Sequence, residues 1–94
     1  MQVVIYVRPT DEISIYEQYN ICANFAKIYG YSIEYKVLDL GGDRFYEAIN
    51  KVIVEHDVSA LLIYSRDAAF DSYEDYLFYR IYCEKQDKKI LACE

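Results

Sequence analysis

Two short apolar runs, Val3-Val4-Ile5-Tyr6-Val7 and Val58-Ser59-Ala60-Leu61-Leu62-Ile63-Tyr64, constrain this chain more than any other feature. Each is too short for a buried helix, and each is apolar at successive positions rather than at alternate ones. That pattern suits a strand covered on both faces, so both runs are expected near the centre of a sheet with helices above and below it.

The segments between the runs read as those helices. Ser14-Ile15-Tyr16-Glu17 has capping-box spacing, and Ile15, Tyr19, Cys22, Ala23 and Ala26 recur along one helical stripe until Gly30 closes it. Tyr31-Ser32-Ile33-Glu34-Tyr35-Lys36-Val37 alternates with period two, as a half-exposed edge strand does, and Asp39-Leu40-Gly41-Gly42 breaks it. Asp43 is the expected N-cap of a second helix with Phe45, Ile49, Val52 and Ile53 inward, ending near His56-Asp57, where His56 meets the negative end of the helix dipole. A third helix is expected from Ser72-Tyr73-Glu74-Asp75, with Leu77, Ile81 and either Tyr73 or Tyr76 inward. Polar residues from Glu84 to Lys89 then lead to a last strand, Ile90-Leu91-Ala92-Cys93. The order βαβαβαβ predicts an α/β fold, a three-layer α/β/α sandwich around a mainly parallel four-stranded sheet with right-handed crossovers.

Composition narrows the function classes. Ninety-four residues fit one domain, and 54% apolar with 28% charged residues is globular rather than disordered. No apolar run approaches the roughly 20 residues that span a bilayer, and the N-terminal run stops at Arg8 without a basic leader, so a cytoplasmic protein with no membrane partner is expected. Sixteen acidic against ten basic residues give a net charge of -6, a field that repels polyanions. DNA is therefore expected as a partner only if a separate DNA-binding region exists in the full protein. Cys22, Cys83 and Cys93 form no CxxC pair, and His56 is the single histidine. The cysteines read as reduced and packed, and no metal or cofactor is expected.

In a parallel α/β sheet, function gathers at the carboxyl ends of the strands. The segments there are Arg8 to Asp11, Asp39 to Arg44, and Ser65 to Asp71. Their residues resemble the N-terminal catalytic domain of serine recombinases, the resolvases and DNA invertases. Ile5-Tyr6-Val7-Arg8-Pro9-Thr10 with Gln18 is similar to that family's opening strand, Ile-Tyr-x-Arg-Val-Ser-Thr, and the glutamine of its first helix, with one residue fewer between them. Asp39, Gly41-Gly42 and Arg44 resemble its second loop. Tyr64-Ser65-Arg66-Asp67-Ala68-Ala69-Phe70-Asp71-Ser72 stands where the family has Lys-Leu-Asp-Arg-Leu-Ser-Arg.

The resemblance implies a resolvase-like fold of flavodoxin-like strand order 2-1-3-4 over residues 1–94. It also implies a site in which a serine hydroxyl attacks a DNA phosphodiester while arginines neutralise the charge developing at phosphorus. Carried over by position, Arg8 keeps one arginine, Thr10 replaces the nucleophile with a β-branched secondary alcohol, and Asp67 matches the family aspartate as a loop anchor. Ala68 and Asp71 replace two further arginines, and Asp71 adds a negative charge. The chain stops after its fourth strand, so the family's long helix and DNA-binding helix-turn-helix are absent from it and a single resolvase-like N-terminal domain is expected.

Three readings follow. The first is a recombinase-like domain, related to site-specific DNA recombination, that is catalytically inactive and acts through contacts with another protein or a second copy. The second is a weakly active recombinase fragment using Thr10. The third is a receiver-like module whose Asp39, Asp43, Asp67 and Asp71 form an acidic pocket for Mg²⁺ or a phosphorylated partner. Beside these stands a plainer account of the loops, in which Arg8 pairs with Asp39 or Asp67, Thr10 or Asp11 ends the loop before the helix, and Gly41-Gly42 is an ordinary turn. Tyr73, Tyr76, Tyr79 and Tyr82 repeat every third residue and drift about 60° per step around a helix, so they cannot share one buried face. They read either as a partner surface or as rings lying over their own core.

Overall fold

The computed structural model describes every residue from Met1 to Glu94. Strands β1 (Gln2–Val7), β2 (Ser32–Leu38), β3 (Val58–Ile63) and β4 (Lys89–Ala92) alternate with helices α1 (Ile15–Ile28), α2 (Phe45–Val54), α3 (Arg66–Ala69) and α4 (Tyr73–Lys85), α3 and α4 both lying between β3 and β4. All four strands run parallel in the order β2-β1-β3-β4, the expected arrangement with β1 inside and β2 at an edge. No helix is long and apolar enough to cross a membrane.

Period-two alternation along β1 divides the interior into two layers. Val3, Ile5 and Val7 join Ala60, Leu62 and the α1 residues Ile15, Cys22 and Ala26 on one face of the sheet. Val4 and Tyr6 join Leu61, Ile63, Phe70, Ala48, Ile49, Val52 and Cys83 on the other, beneath α2 and α4. Because both faces are covered, all five residues from Val3 to Val7 are buried, each contributing about 1.5–3 kcal/mol by leaving water.

Capping explains the ends of α1. Ser14 accepts the Glu17 amide at 3.1 Å. At the other end Gly30, at φ +72°, lets the Tyr31 amide reach Ala26 O (2.8 Å) while its own reaches Lys27 O (3.2 Å), a Schellman closure.

Four local expectations are corrected. The N-cap of α2 is Arg44, not Asp43, because the Asp39 carboxylate reaches forward to take the amides of both residues. Helix α2 stops at Val54, so His56 lies beyond it, exposed, two residues before β3. The loop after β3 contains the extra turn α3, which Ser65 caps by accepting the Ala68 amide at 3.1 Å. Finally, α4 turns Tyr76, Tyr79 and Cys83 toward the core and leaves Ile81 50% exposed. Ile81 lies about 200° around the helix from the fully buried Cys83, so the two cannot both face inward.

Candidate functional site

The ends of β1 and β2 are tied together by one carboxylate. Asp39, the residue after β2, is fully buried and accepts from the Tyr6 hydroxyl (2.6 Å), the Asp43 amide (3.0 Å) and the Arg44 amide (2.9 Å). Burial alone would push its pKa up, but these donors outweigh burial and hold it below the usual carboxylate value. Burial and the Asp39 charge together push the Tyr6 phenol well up, so the pair remains a phenol donating to a carboxylate.

Arg8 leaves the end of β1 with its Nε donating to the Ala68 carbonyl (2.8 Å) and its Nη2 3.0 Å from Asp71 Oδ1. The expected partners Asp39 and Asp67 are therefore corrected to Asp71. Asp39 is saturated by its own donors, and Asp67 points outward from α3 as an exposed side chain with no hydrogen bond. Anchoring of this loop, expected of Asp67, falls to Ser65 and to the Ala68 carbonyl.

Thr10 closes the loop before α1. Its hydroxyl accepts the Ile13 amide at 3.2 Å and lies 3.3 Å from the Ile13 carbonyl, to which it donates. Below it the buried Gln18 amide donates to Arg8 O at 2.7 Å and to Ile13 O at 3.3 Å, joining helix and loop.

Arg8, Thr10, Asp11, Gly41, Gly42 and Asp71 line one open depression of about 500 Å³. Only Arg8 is cationic there, against Asp11 and Asp71. A neighbouring hollow of about 520 Å³ shares Thr10 and Asp11 and adds Glu12, Asp67, Ala68 and Glu94, with no lysine or arginine. Arg44 faces away: its guanidinium grips Glu47 through Nε (3.0 Å) and Nη2 (2.8 Å), and this grip, with the Tyr35 hydroxyl, holds the Glu47 carboxyl down to about 2. Gly42, at φ +74°, ends a turn in which its amide meets Asp39 O at 3.4 Å. The four aspartates of the receiver-like reading are not gathered, since Asp39 is consumed in the interior, and no three acidic, histidine or cysteine side chains converge on a metal position.

No protein-family model matches this sequence, and no curated protein does. Solved structures do. The N-terminal catalytic domain of TP901-1 integrase superposes with a TM-score of 0.84 at 22% identity, over 99% of this chain and 77% of that one. The C-terminal catalytic domain of ISC1926 TnpA, an IS607-like serine recombinase, superposes with a TM-score of 0.74 at 20% identity, over 100% of this chain and 70% of that one. This chain has the fold of a serine recombinase catalytic domain.

Within that fold, the expected positions Arg8, Thr10, Gly41, Gly42 and Asp71 do meet at one depression, while Asp39 lies beneath it and Arg44 outside it. Two contributions become visible only in the fold: the Tyr6 hydroxyl as the partner of Asp39, and Gln18 as the tie between helix and loop. A tyrosine inside an otherwise aliphatic strand was the available signal for the first, because a buried phenol needs an acceptor.

The four periodic tyrosines divide. Tyr79 and Tyr82 line a groove of about 610 Å³ between α2 and α4, whereas Tyr73 and Tyr76 flank the Arg66 guanidinium at 5.5 and 5.4 Å.

Proposed function

We propose that this chain is a recombinase-like domain, related to site-specific DNA recombination, that keeps the strand-exchange fold without its chemistry and acts through protein contacts. The observation that carries this reading is the Arg8–Asp71 pair, in which the one cation of the depression is already neutralised by an acid from the facing loop. A phosphodiester placed there meets a carboxylate about 6 Å away, a repulsion of a few kcal/mol at an effective dielectric near 20. Arginines at the same place would stabilise the developing charge instead.

Thr10 supports the same reading. Its hydroxyl is spent on the Ile13 backbone, and His56 lies at the opposite end of the strands, just before the start of β3. Catalysis by Thr10 would require the hydrogen bond it donates to Ile13 O to break.

Contact with a second copy of the chain is favoured by the α2–α4 groove, which exposes Tyr46, Phe78 and Tyr82. Three ion pairs lie along these two helices, Arg44–Glu47, Lys51–Glu55 and Arg80–Glu84, and of the remaining charges on α4 two are acidic, Glu74 and Asp75, against one basic, Lys85. A surface with no net positive charge suits an apolar partner face better than a polyanion.

Two measurements test the reading. Supercoiled plasmid incubated with the protein is expected to give no denaturation-resistant protein–DNA adduct; an adduct lost in Thr10→Ala overturns the loss of chemistry. Sedimentation equilibrium is expected to show a dimer that Phe78→Ser dissociates, and a monomer at every concentration overturns the contact.

A further inference from the structure

Cys22 and Cys93 stand 71 residues apart in the sequence, but the fold brings their sulfurs to 3.7 Å. Cys22 is fully buried in α1, within the layer between that helix and the sheet. Cys93 follows β4 directly, is half-buried, and is held by its amide to Ile63 O at 3.0 Å. Neither thiol contributes to the depression around Arg8. The third cysteine, Cys83, is fully buried in the opposite layer, away from both.

We propose that Cys22 and Cys93 form a reversible redox pair, oxidised by small-molecule disulfides of the glutathione class to a bond that pins the end of β4 to α1.

The two thiols have different parts in this chemistry. Cys93 is the accessible one, half-buried where Cys22 is fully buried, and the contact between the two sulfurs lowers the pKa of Cys93 against the opposing effect of burial while raising that of Cys22. The Cys93 thiolate attacks one sulfur of glutathione disulfide; the glutathione S–S bond breaks, a mixed disulfide forms at Cys93, and one glutathione thiolate leaves. Cys22 then gives up its proton to solvent, and its sulfur attacks Cys93 Sγ, expelling the second glutathione thiolate. Two protein thiols are oxidised to one disulfide, and one glutathione disulfide is reduced to two glutathiones. The sulfurs already lie 3.7 Å apart, so rotation of the Cys93 side chain, one residue beyond its strand, is the movement that brings them toward bonding distance.

The bond would close a loop spanning 71 residues of sequence, which removes freedom from the unfolded chain and stabilises the oxidised form.

Incubation of the whole chain with oxidised glutathione, followed by denaturation, alkylation and peptide mass mapping, tests this. The expected product has one alkylatable thiol, Cys83, in place of three, a crosslinked peptide pair containing Cys22 and Cys93, and a Tm raised on the order of 10 °C that reverts on reduction. In Cys22→Ser the glutathione adduct at Cys93 is expected to accumulate, since nothing resolves it. Three alkylatable thiols after oxidation, a stable glutathione adduct in the wild type, or a crosslink through Cys83 overturns the proposal.

Discussion

The guanidinium of Arg8 and the carboxylate of Asp71 face each other at 3.0 Å across the ends of β1 and the β3–α4 connection, Arg8 21% exposed and Asp71 83% exposed. An acid so open to solvent adds little to stability, typically about 0–1 kcal/mol for an exposed pair. What it changes is the charge that an approaching anion meets. Asp71→Asn is therefore expected to leave the unfolding midpoint nearly unchanged while strengthening binding of inorganic phosphate by about tenfold, read from Arg8 side-chain shifts in an NMR titration. Equal phosphate affinity in both proteins would show that Asp71 does not control the depression.

Tyr6 and Asp39 predict the acid limit of the fold. The Asp39 pKa is lowered in the folded protein, so its stabilising effect is fully present above the unfolded value of 3.8 and is lost as pH falls through the lower folded value. Tyr6→Phe removes one donor from a buried carboxylate and is expected to cost about 1–3 kcal/mol in urea unfolding at pH 7. The pH at which acid unfolding begins should rise in the same variant, because the folded pKa of Asp39 moves back up. An unchanged acid midpoint would argue against Asp39 as the group that sets it.

Gln18 connects the first helix to the loop that carries Arg8 and Thr10. Gln18→Leu keeps the buried bulk but leaves the Arg8 carbonyl without a donor and the Ile13 carbonyl with the Thr10 hydroxyl alone, at an expected cost of about 1–3 kcal/mol. Amide exchange at Ile13 should quicken in this variant more than exchange in β3, since the loop loosens while the sheet stays paired. Uniform acceleration across the chain would reduce Gln18 to a general packing residue.

The orientation of α4 separates core from surface among its aromatic residues. Tyr79 lies 4.7 Å from Phe45 and 6.2 Å from Phe70, ring centre to ring centre, so Tyr79→Ala is expected to destabilise by about 2–4 kcal/mol. Phe78→Ser, one position along but 63% exposed, should cost below about 1 kcal/mol in the monomer. Chemical denaturation of the two variants checks the contrast, and equal losses would contradict the assignment of the buried face.

The sheet was legible because its information is local and repetitive. Val3 to Val7 and Val58 to Ile63 announce two covered strands within a few residues each, and the alternation in β2 announces an edge. The site was legible only as a set of loops. Which acid reaches Arg8 depends on α3, a four-residue turn with too little sequence to carry a period. Asp43 looked like a cap because it sits where a cap belongs, whereas the amides there are satisfied by Asp39 from a strand end. In α4, tyrosine serves core and surface alike, so periodicity could not say which rings turn inward; the small Cys83 fixes the answer.

The alternation along β1 also sets how this domain can drift. Val3, Ile5 and Val7 answer to α1, while Val4 and Tyr6 share their layer with residues of α2, α3, α4 and the segment joining the last two. A change at an odd-numbered position can be accommodated by one helix. A change at an even-numbered position needs agreement from several segments at once, so neighbours in the same strand evolve under unequal constraint.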